Sequence, residues 1–145
     1  MAHTVNRMTI EELNIICKNS FVDHLGIWFT EFDGAHIKGY IDLKPFHLQP
    51  VGYVHGGVYM SMAETLAGAG SALLVEPENK IALGNSINSQ HLASAKEGRI
   101  VAAGTLIHKS TFKHIWDIEI TDNSGKLISL SRVTNSIKEM NHSND

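Results

Sequence analysis

The feature that most constrains this chain is a stretch of 20 residues, 56–75, in which Glu64 is the one charged side chain. A stretch of that length could cross a membrane. The glycines within it, the carboxylate near its middle and the lack of a second apolar stretch favour instead a helix in a protein core, so we expect no membrane segment. Because this helix is apolar on every side, other elements must surround it, and a sheet can do so.

The remainder of the chain has the pattern of strands separated by turns. Residues 35–43 alternate between apolar and polar side chains, which is typical of a half-buried strand, and residues 25–32 are rich in β-branched and aromatic types. Between them, Asp33-Gly34 predicts a two-residue hairpin turn. Four more segments bounded by turn-forming residues follow the helix and are typical of a meander; they are 81–92, 99–108, 114–121 and 127–137.

The order of elements predicts an α+β fold. Thr9, with Glu12 three residues later, forms a capping box that predicts a short helix over about 9–20. Short turns between the later strands favour an antiparallel sheet. We expect one domain over 1–145, with a core over about 21–138 in which a curved antiparallel sheet wraps around the long helix.

Composition limits the classes of protein to which the chain can belong. With 12 Lys and Arg against 15 Asp and Glu, its net charge of −3 excludes a polybasic nucleic-acid-binding module. Charged residues make up 19% of the chain, below the usual value of about 25%, and apolar residues 43%, which excludes disorder and predicts surface buried in an oligomer. The first 13 residues lack the features of a signal peptide, so we expect a cytoplasmic protein.

The start of the long helix is a candidate site for stabilising negative charge. Gly56 and Gly57 open the helix directly after a loop, so its first backbone N–H groups lack acceptors within the helix. Glycines also let a ligand approach these groups closely, as an oxyanion hole for acyl transfer requires. A tight turn without chemistry is the alternative interpretation.

Glu64 is the second candidate, because a lone carboxylate on an apolar helix is unfavourable unless it is paired or its pKa rises. Helical periodicity predicts a face of mostly small residues around it, with room for a ligand or a partner helix; these residues are Gly57, Met60, Ser61, Gly68 and Ser71. The alternative is a structural glutamate that caps a buried backbone group.

Gly56 and Glu64 lie too far apart to act on one bond within one chain. Eight residues of helix rise about 12 Å, whereas a nucleophile or base must lie within about 3.5 Å of the carbon attacked. If Gly56 polarises a carbonyl that Glu64 attacks, the two residues must come from different subunits. The spacing therefore predicts an obligate dimer with composite sites.

Other chemistries have weaker support in the sequence. The nine histidines lack the short spacings of a zinc site and the single Cys17 excludes a Cys-x-x-Cys pair, so we expect no metal. No Gly-x-Ser-x-Gly, Walker or dinucleotide-binding motif occurs. His55, just before the glycines, either holds the loop by hydrogen bonds or is a packed neutral histidine.

Residues 49–57, Gln-Pro-Val-Gly-Tyr-Val-His-Gly-Gly, followed by Ala63-Glu64, resemble the signature of hot-dog acyl-CoA thioesterases of the phenylacetate-pathway and 4-hydroxybenzoyl-CoA type. Three later segments are similar to the branch that contains 1,4-dihydroxy-2-naphthoyl-CoA hydrolases, namely 85–99, 115–120 and 127–134. The resemblance covers about residues 9–138. It implies a homodimer, commonly a dimer of dimers, that hydrolyses an acyl-CoA thioester without a metal or a separate cofactor, CoA being part of the substrate.

The resemblance also implies roles for individual residues. Glu64 corresponds to the nucleophile or general base, Gly56 to the N–H donor for the thioester oxygen, and Gln49 and His55 to residues that assist in positioning. The residues expected at the substrate or CoA are Gly57, Gly68, His91, Ser110 and Thr111.

Two positions depart from the family's pattern. Gly68 stands where relatives often carry Ser or Thr, and Ala93 where a relative's Arg would meet the CoA phosphate, with Lys96 and Arg99 as candidate replacements. A non-catalytic acyl-CoA sensor on the same fold is the alternative function, and a dehydratase is a third. The acyl group stays open between aromatic and medium aliphatic, since the residues that could line its pocket also suit a core; they are Tyr53, Tyr59, Met60 and Met62.

Overall fold

The structure is a computed structural model that describes residues 8–141. Residues 1–7 and 142–145 lie outside the described residues, although the predicted domain includes them. Residues 1–7 also belong to the segment searched for signal-peptide features. Three α-helices and one 3₁₀ helix are present in this range: α1 Ile10–Ile16, α2 Phe21–His24, the 3₁₀ turn Pro45–His47 and the long helix α3 Gly56–Leu74. None of these helices has the length and apolarity that a membrane span needs.

The first helix begins where the sequence predicts. The Thr9 hydroxyl accepts the Glu12 N–H at 3.1 Å, and the Glu12 carboxylate accepts the Thr9 N–H at 2.8 Å, which confirms the capping box. The helix ends earlier than expected, at Ile16, and α2 follows after a turn through Asn19, whose φ is +63°.

Six antiparallel strands form one sheet in the order β1-β2-β4-β5-β6-β3, which with α3 confirms the α+β hot-dog architecture. The strands are β1 Trp28–Phe32, β2 His36–Asp42, β3 Lys80–His91, β4 Arg99–Lys109, β5 Lys113–Thr121 and β6 Leu127–Glu139. They match the predicted segments closely, because alternation of apolar and polar residues is a local signal.

Two of the predicted connections are wrong. The hairpin turn between β1 and β2 has three residues, 33–35, and the Asp33 carboxylate accepts the N–H groups of Ala35 and His36. Only β4, β5 and β6 form a meander, since β3 pairs with β6 at the sheet edge. The chain between β3 and β4 instead contacts the loop before α3, where the Val54 N–H donates to the Ala95 carbonyl.

Helix α3 is covered on one side only, which corrects the expectation that the sheet surrounds it. Its inner side is buried, and Gly70 lies so close to Trp116 that a Cβ there would approach the indole to 2.7 Å. Glu64 and Ala72 are exposed in the single chain. Six strands are enough to cover the inner side of the helix, and its outer side stays open for a ligand or a second chain.

A buried polar cluster fixes α3 to β5 and β6. The Ser71 hydroxyl lies 2.9 Å from each of His114 Nδ1, Trp116 Nε1 and Asn135 Nδ2. Asn135 Nδ2 also donates to the Ala67 carbonyl at 3.0 Å, and its Oδ1 is buried without a partner in residues 8–141. Burial lowers the pKa of His114, and electrostatic interactions with Lys109 and His108 lower it further.

Candidate active site

The start of α3 leaves one backbone N–H without an acceptor. His55 is the N-cap residue, and its Nδ1 accepts the Gly57 N–H at 2.8 Å. The Gly56 N–H donates no hydrogen bond within residues 8–141. Of the two predicted glycine donors, Gly57 is therefore occupied by the cap, and the Gly56 N–H is free to stabilise an oxyanion at the positive end of the helix.

Gly56 also contacts a histidine from the edge strand. A Cβ at position 56 would lie 2.8 Å from His91 Nε2 and 3.0 Å from its Cδ2, so any larger residue would displace the ring. His91 Nδ1 lies 2.9 Å from the buried Ser129 hydroxyl, and its ring centroid lies 5.3 Å from that of Tyr59. Tertiary structure thus places the predicted residue His91 beside the helix start.

The loop before α3 is held by a histidine that sequence reasoning did not single out. His47 is buried; its Nδ1 accepts the Lys44 N–H at 2.9 Å, so its Nε2 donates to the Leu25 carbonyl at 2.7 Å. The His47 carbonyl in turn accepts the His55 N–H at 2.9 Å. The one signal in the sequence was a histidine two residues after Pro45, which does not reveal a distant partner such as Leu25.

Gln49 lies half-buried in the same loop. Its side-chain carbonyl accepts the Val51 N–H, and its backbone N–H donates to the Tyr53 carbonyl at 2.7 Å. The side-chain amide donates to no acceptor within residues 8–141, so it keeps two N–H donors for a ligand.

Glu64 is exposed in the single chain, which corrects the expectation of a buried carboxylate. The isolated charge on an apolar helix is explained by the open outer side of α3 and not by a pairing partner in the core. Its carboxylate lies against strand β3, where a Cβ on Gly84 would overlap Glu64 Oε1. Sequence reasoning missed Gly84, although a glycine inside a predicted strand was a signal for a bulge or a close approach.

The face of α3 around Glu64 is only partly the predicted one. Ser61 and Gly68 are half-buried, and a Cβ on Gly68 would meet no atom within 4 Å, so space is open there. Ser71 is fully buried instead, because side chains from β5 and β6 cover the helix at that point. Helical periodicity gives the direction of a side chain but not which strands cover it.

Ser110 and Thr111 line a cleft of about 540 Å³ at the other end of α3, together with Lys80, Lys109 and His114. This cleft also contains Leu74, the last residue of the helix, which is 18 residues after Gly56 and therefore about 27 Å along the axis. One chain does not bring this cleft to the helix start. The Ser110 hydroxyl also accepts the Lys113 N–H at 3.1 Å and donates to its carbonyl, so it shapes the hairpin turn.

The candidate replacements for the missing arginine at Ala93 differ in their surroundings. Arg99 forms a bidentate ion pair with Asp42, with distances of 2.7 and 3.0 Å, and its guanidinium lies 3.7 Å from the Tyr40 ring centroid. Lys96 lies near the loop before α3, 4.6 Å from the Tyr53 ring centroid. Arg99 is thus already paired with a carboxylate, whereas Lys96 lies beside the loop that leads into α3.

The family model of the thioesterase superfamily matches residues 51–129, which include the start of α3, Glu64 and strand β3. The chain belongs to the thioesterase superfamily. The crystal structure of a thioesterase from Haemophilus influenzae matches this superfamily chain with a TM-score of 0.88 and 34% identity, covering 94% of this chain and 96% of that one.

Two more proteins resemble this thioesterase-superfamily chain. The 1,4-dihydroxy-2-naphthoyl-CoA hydrolase of Escherichia coli K12 is 31% identical over 131 residues, which are 90% of this chain and 96% of that protein. A Staphylococcus aureus protein, called a thioesterase enzyme in one of its two crystal structures, matches with a TM-score of 0.81 and 31% identity over 82% of this chain and 98% of its own. It was crystallised as separate Gln→Ala and Glu→Ala variants at positions fifteen residues apart.

Proposed function

We propose that this protein hydrolyses an acyl-CoA thioester to the free acid and CoA, without a metal, in sites shared by two subunits. The Gly56 N–H of one subunit stabilises the oxyanion that forms on the thioester carbonyl. Glu64 of the other subunit either takes a proton from the attacking water or attacks the carbonyl carbon itself, in which case water then hydrolyses the acyl–glutamyl anhydride and releases the acid. The C–S bond breaks, and CoA leaves as its thiolate.

The observation that carries this proposal is an exposed carboxylate and a free helix N–H along the same sheet edge. Glu64 lies against Gly84 and Gly56 lies against His91, and both partners belong to the edge strand β3. A two-fold axis near the middle of β3 would pair two such strands antiparallel and bring the Gly56 end of each subunit opposite the Glu64 of the other. The exposed Ile81 and Leu83 on β3 support an interface there.

Gln49 has a positioning role in this proposal. Its free side-chain amide can donate to the thioester oxygen alongside the Gly56 N–H. The S. aureus variants support the assignment, because their Gln and Glu are separated by the same fifteen residues as Gln49 and Glu64. His55 acts indirectly, since its Nδ1 fixes the first turn of α3.

The phosphates of CoA are assigned to the cleft at the β4–β5 hairpin. Lys80 and Lys109 supply positive charge there, and Thr111 lies on its wall. The relation to the phenylacetate-pathway and 4-hydroxybenzoyl-CoA type, and a tetramer made of two dimers, rest on the resemblance of the sequence. A release assay with aromatic and aliphatic acyl-CoAs identifies the acyl group.

The decisive experiment combines two inactive variants in one dimer. Glu64→Ala removes the carboxylate. Gly56→Pro removes the N–H at the first helix position, where the helix backbone accepts proline after a residue with extended angles. Its ring also displaces His91 of the same subunit, so the change inactivates the helix start only in the subunit that carries it. The two chains carry different tags, and heterodimers are purified and assayed for thiol release. We expect each homodimer to be inactive and the heterodimer to recover about half of the wild-type rate, because one of its two composite sites is intact.

Three results would contradict this proposal, each at a different point. An inactive heterodimer of correct mass and fold would exclude the shared site. An active Glu64→Ala homodimer would exclude the mechanism altogether, and acyl-CoA binding without thiol release by the wild-type protein would favour a sensor.

A further inference from the structure

Strand β3 contains a glycine that its backbone does not require. The φ angle of Gly84 is not among the positive values, which in the described chain are found at turn glycines such as Gly34 and Gly125. Glycine weakens a strand, since it loses more conformational freedom on folding than other residues and packs no side chain. A positive φ is therefore not the reason for Gly84, and the space next to its Cα is the feature to explain.

That space is occupied by the end of the Glu64 side chain. A Cβ on Gly84 would overlap Glu64 Oε1 and would lie 3.2 Å from its Cδ and 3.5 Å from its Cγ. The three nearest atoms to this position all belong to Glu64. The carboxylate thus lies directly against the strand backbone, and any other residue at 84 would push it away.

The strand and the helix are held at this spacing by buried hydrogen bonds. Gly84 pairs with Asn135 in the β3–β6 register, and the buried Asn135 amide donates to Ala67 and Ser71 of α3. The register shifts between Gly84 and Ser86, so a bulge lies at the point where the strand meets the carboxylate. Bulges redirect the strand backbone and are frequent next to active sites.

We propose that Gly84 is a positioning residue for hydrolysis: its missing side chain lets the Glu64 carboxylate lie against β3 and face the substrate. This inference rests on the proposed catalytic role of Glu64. Glu64 is exposed and its side chain has three rotatable bonds, so the strand backbone at Gly84 supplies the constraint that solvent does not.

The test is Gly84→Ala, assayed for kcat, KM, melting temperature and oligomeric state. The added methyl group displaces the end of a flexible side chain, so folding and assembly should stay unchanged. Misplacement of the carboxylate by about 1 Å should lower kcat about 10- to 100-fold. KM for the acyl-CoA should stay unchanged, because Glu64 is not assigned to binding.

Ser86→Ala is the matched control, because Ser86 lies two positions further along the same strand and is also exposed. It should keep the wild-type kcat. A crystal structure of Gly84→Ala should show the Glu64 carboxylate moved from its wild-type position.

The inference and the proposed function fail in different ways. If Glu64→Ala is inactive while Gly84→Ala keeps its full kcat, the positioning role is wrong and the proposed function stands. If Gly84→Ala loses activity together with its melting temperature or its oligomeric state, the role is structural and the inference is overturned. An active Glu64→Ala enzyme removes both.

Discussion

At the scale of single residues, the Ser71 hydroxyl accommodates its three partners in only one protonation state of His114. It accepts the N–H groups of Trp116 and Asn135, so its own proton must go to His114 Nδ1, which has to be unprotonated. Burial lowers the pKa of His114 from its usual value of 6.5, in agreement with this arrangement.

The stability of the fold should therefore fall in mild acid. Because the pKa of His114 is lower in the folded state than in the unfolded chain, the unfolded chain binds the proton more readily. The stabilisation is present above about pH 6.5 and is lost as the pH falls below it. We expect the melting temperature to decrease from pH 7.5 to 5.5, and less steeply in His114→Gln, whose amide oxygen can accept the Ser71 proton. If the melting temperature fell equally steeply with pH in the wild type and in His114→Gln, the loss of stability in acid would not come from His114.

The sequence gives the identity of the site residues but not their environment. Gly56 and Glu64 are recognisable because a diglycine at a helix start and a lone carboxylate on an apolar helix are unusual locally. The exposure of Glu64 and the contact with Gly84 depend on a strand 20 residues further along the chain. No pattern along one helix contains that information.

At the scale of elements, the cap of α3 controls which N–H groups are available for chemistry. His55 Nδ1 takes the Gly57 N–H and leaves that of Gly56 without an acceptor within residues 8–141. The cap thus stabilises the helix and selects the donor at the same time.

Loss of this cap should weaken the fold and the reaction together. His55→Ala should lower the free energy of unfolding by about 1 kcal/mol, whereas His55→Asn, which retains a capping acceptor, should stay close to wild type. Denaturant titration at one protein concentration measures the difference. Equal stability of the Ala and Asn variants would show that the bond to Gly57 contributes nothing.

Elements were predictable and their pairing was not. The repeat of apolar and polar side chains along α3 and along each strand is a local pattern. The bounds of these elements therefore follow from the sequence to within a few positions. The place of β3 beside β6, away from β4, depends on contacts between distant parts of the chain. The three-residue turn after β1 depends on the Asp33 carboxylate, which accepts two N–H groups there.

At the scale of the whole molecule, β3 is an edge strand, and no other strand of residues 8–141 pairs with its outer side. Such an edge invites pairing with another chain. Ile81 and Leu83 are 41% and 45% exposed on it, which is high for side chains of this kind in a strand of 12 residues. The proposed composite site lies along this same edge.

Disruption of the β3 edge should therefore abolish both assembly and hydrolysis. Ile81→Lys combined with Leu83→Lys replaces two exposed apolar side chains of this edge with charged ones, which disfavour the pairing of edge strands, so we expect monomers without activity. Analytical ultracentrifugation with a parallel thiol-release assay measures both properties. Val101→Lys, on the exposed face of β4, is the control and should leave them unchanged. A monomer with full activity would exclude the shared site.

The sequence by itself determined the α+β class, the long helix, the extent of each strand and the two candidate groups at Gly56 and Glu64. These follow from side-chain periodicity, capping and turn chemistry, which act between neighbouring residues. Only the tertiary structure decided which helix face stays open, that Ser71 is buried while Glu64 is exposed, and that Gly84 and His91 from one edge strand flank the site. The reason is that burial and contact depend on how distant strands pair and curve around the helix.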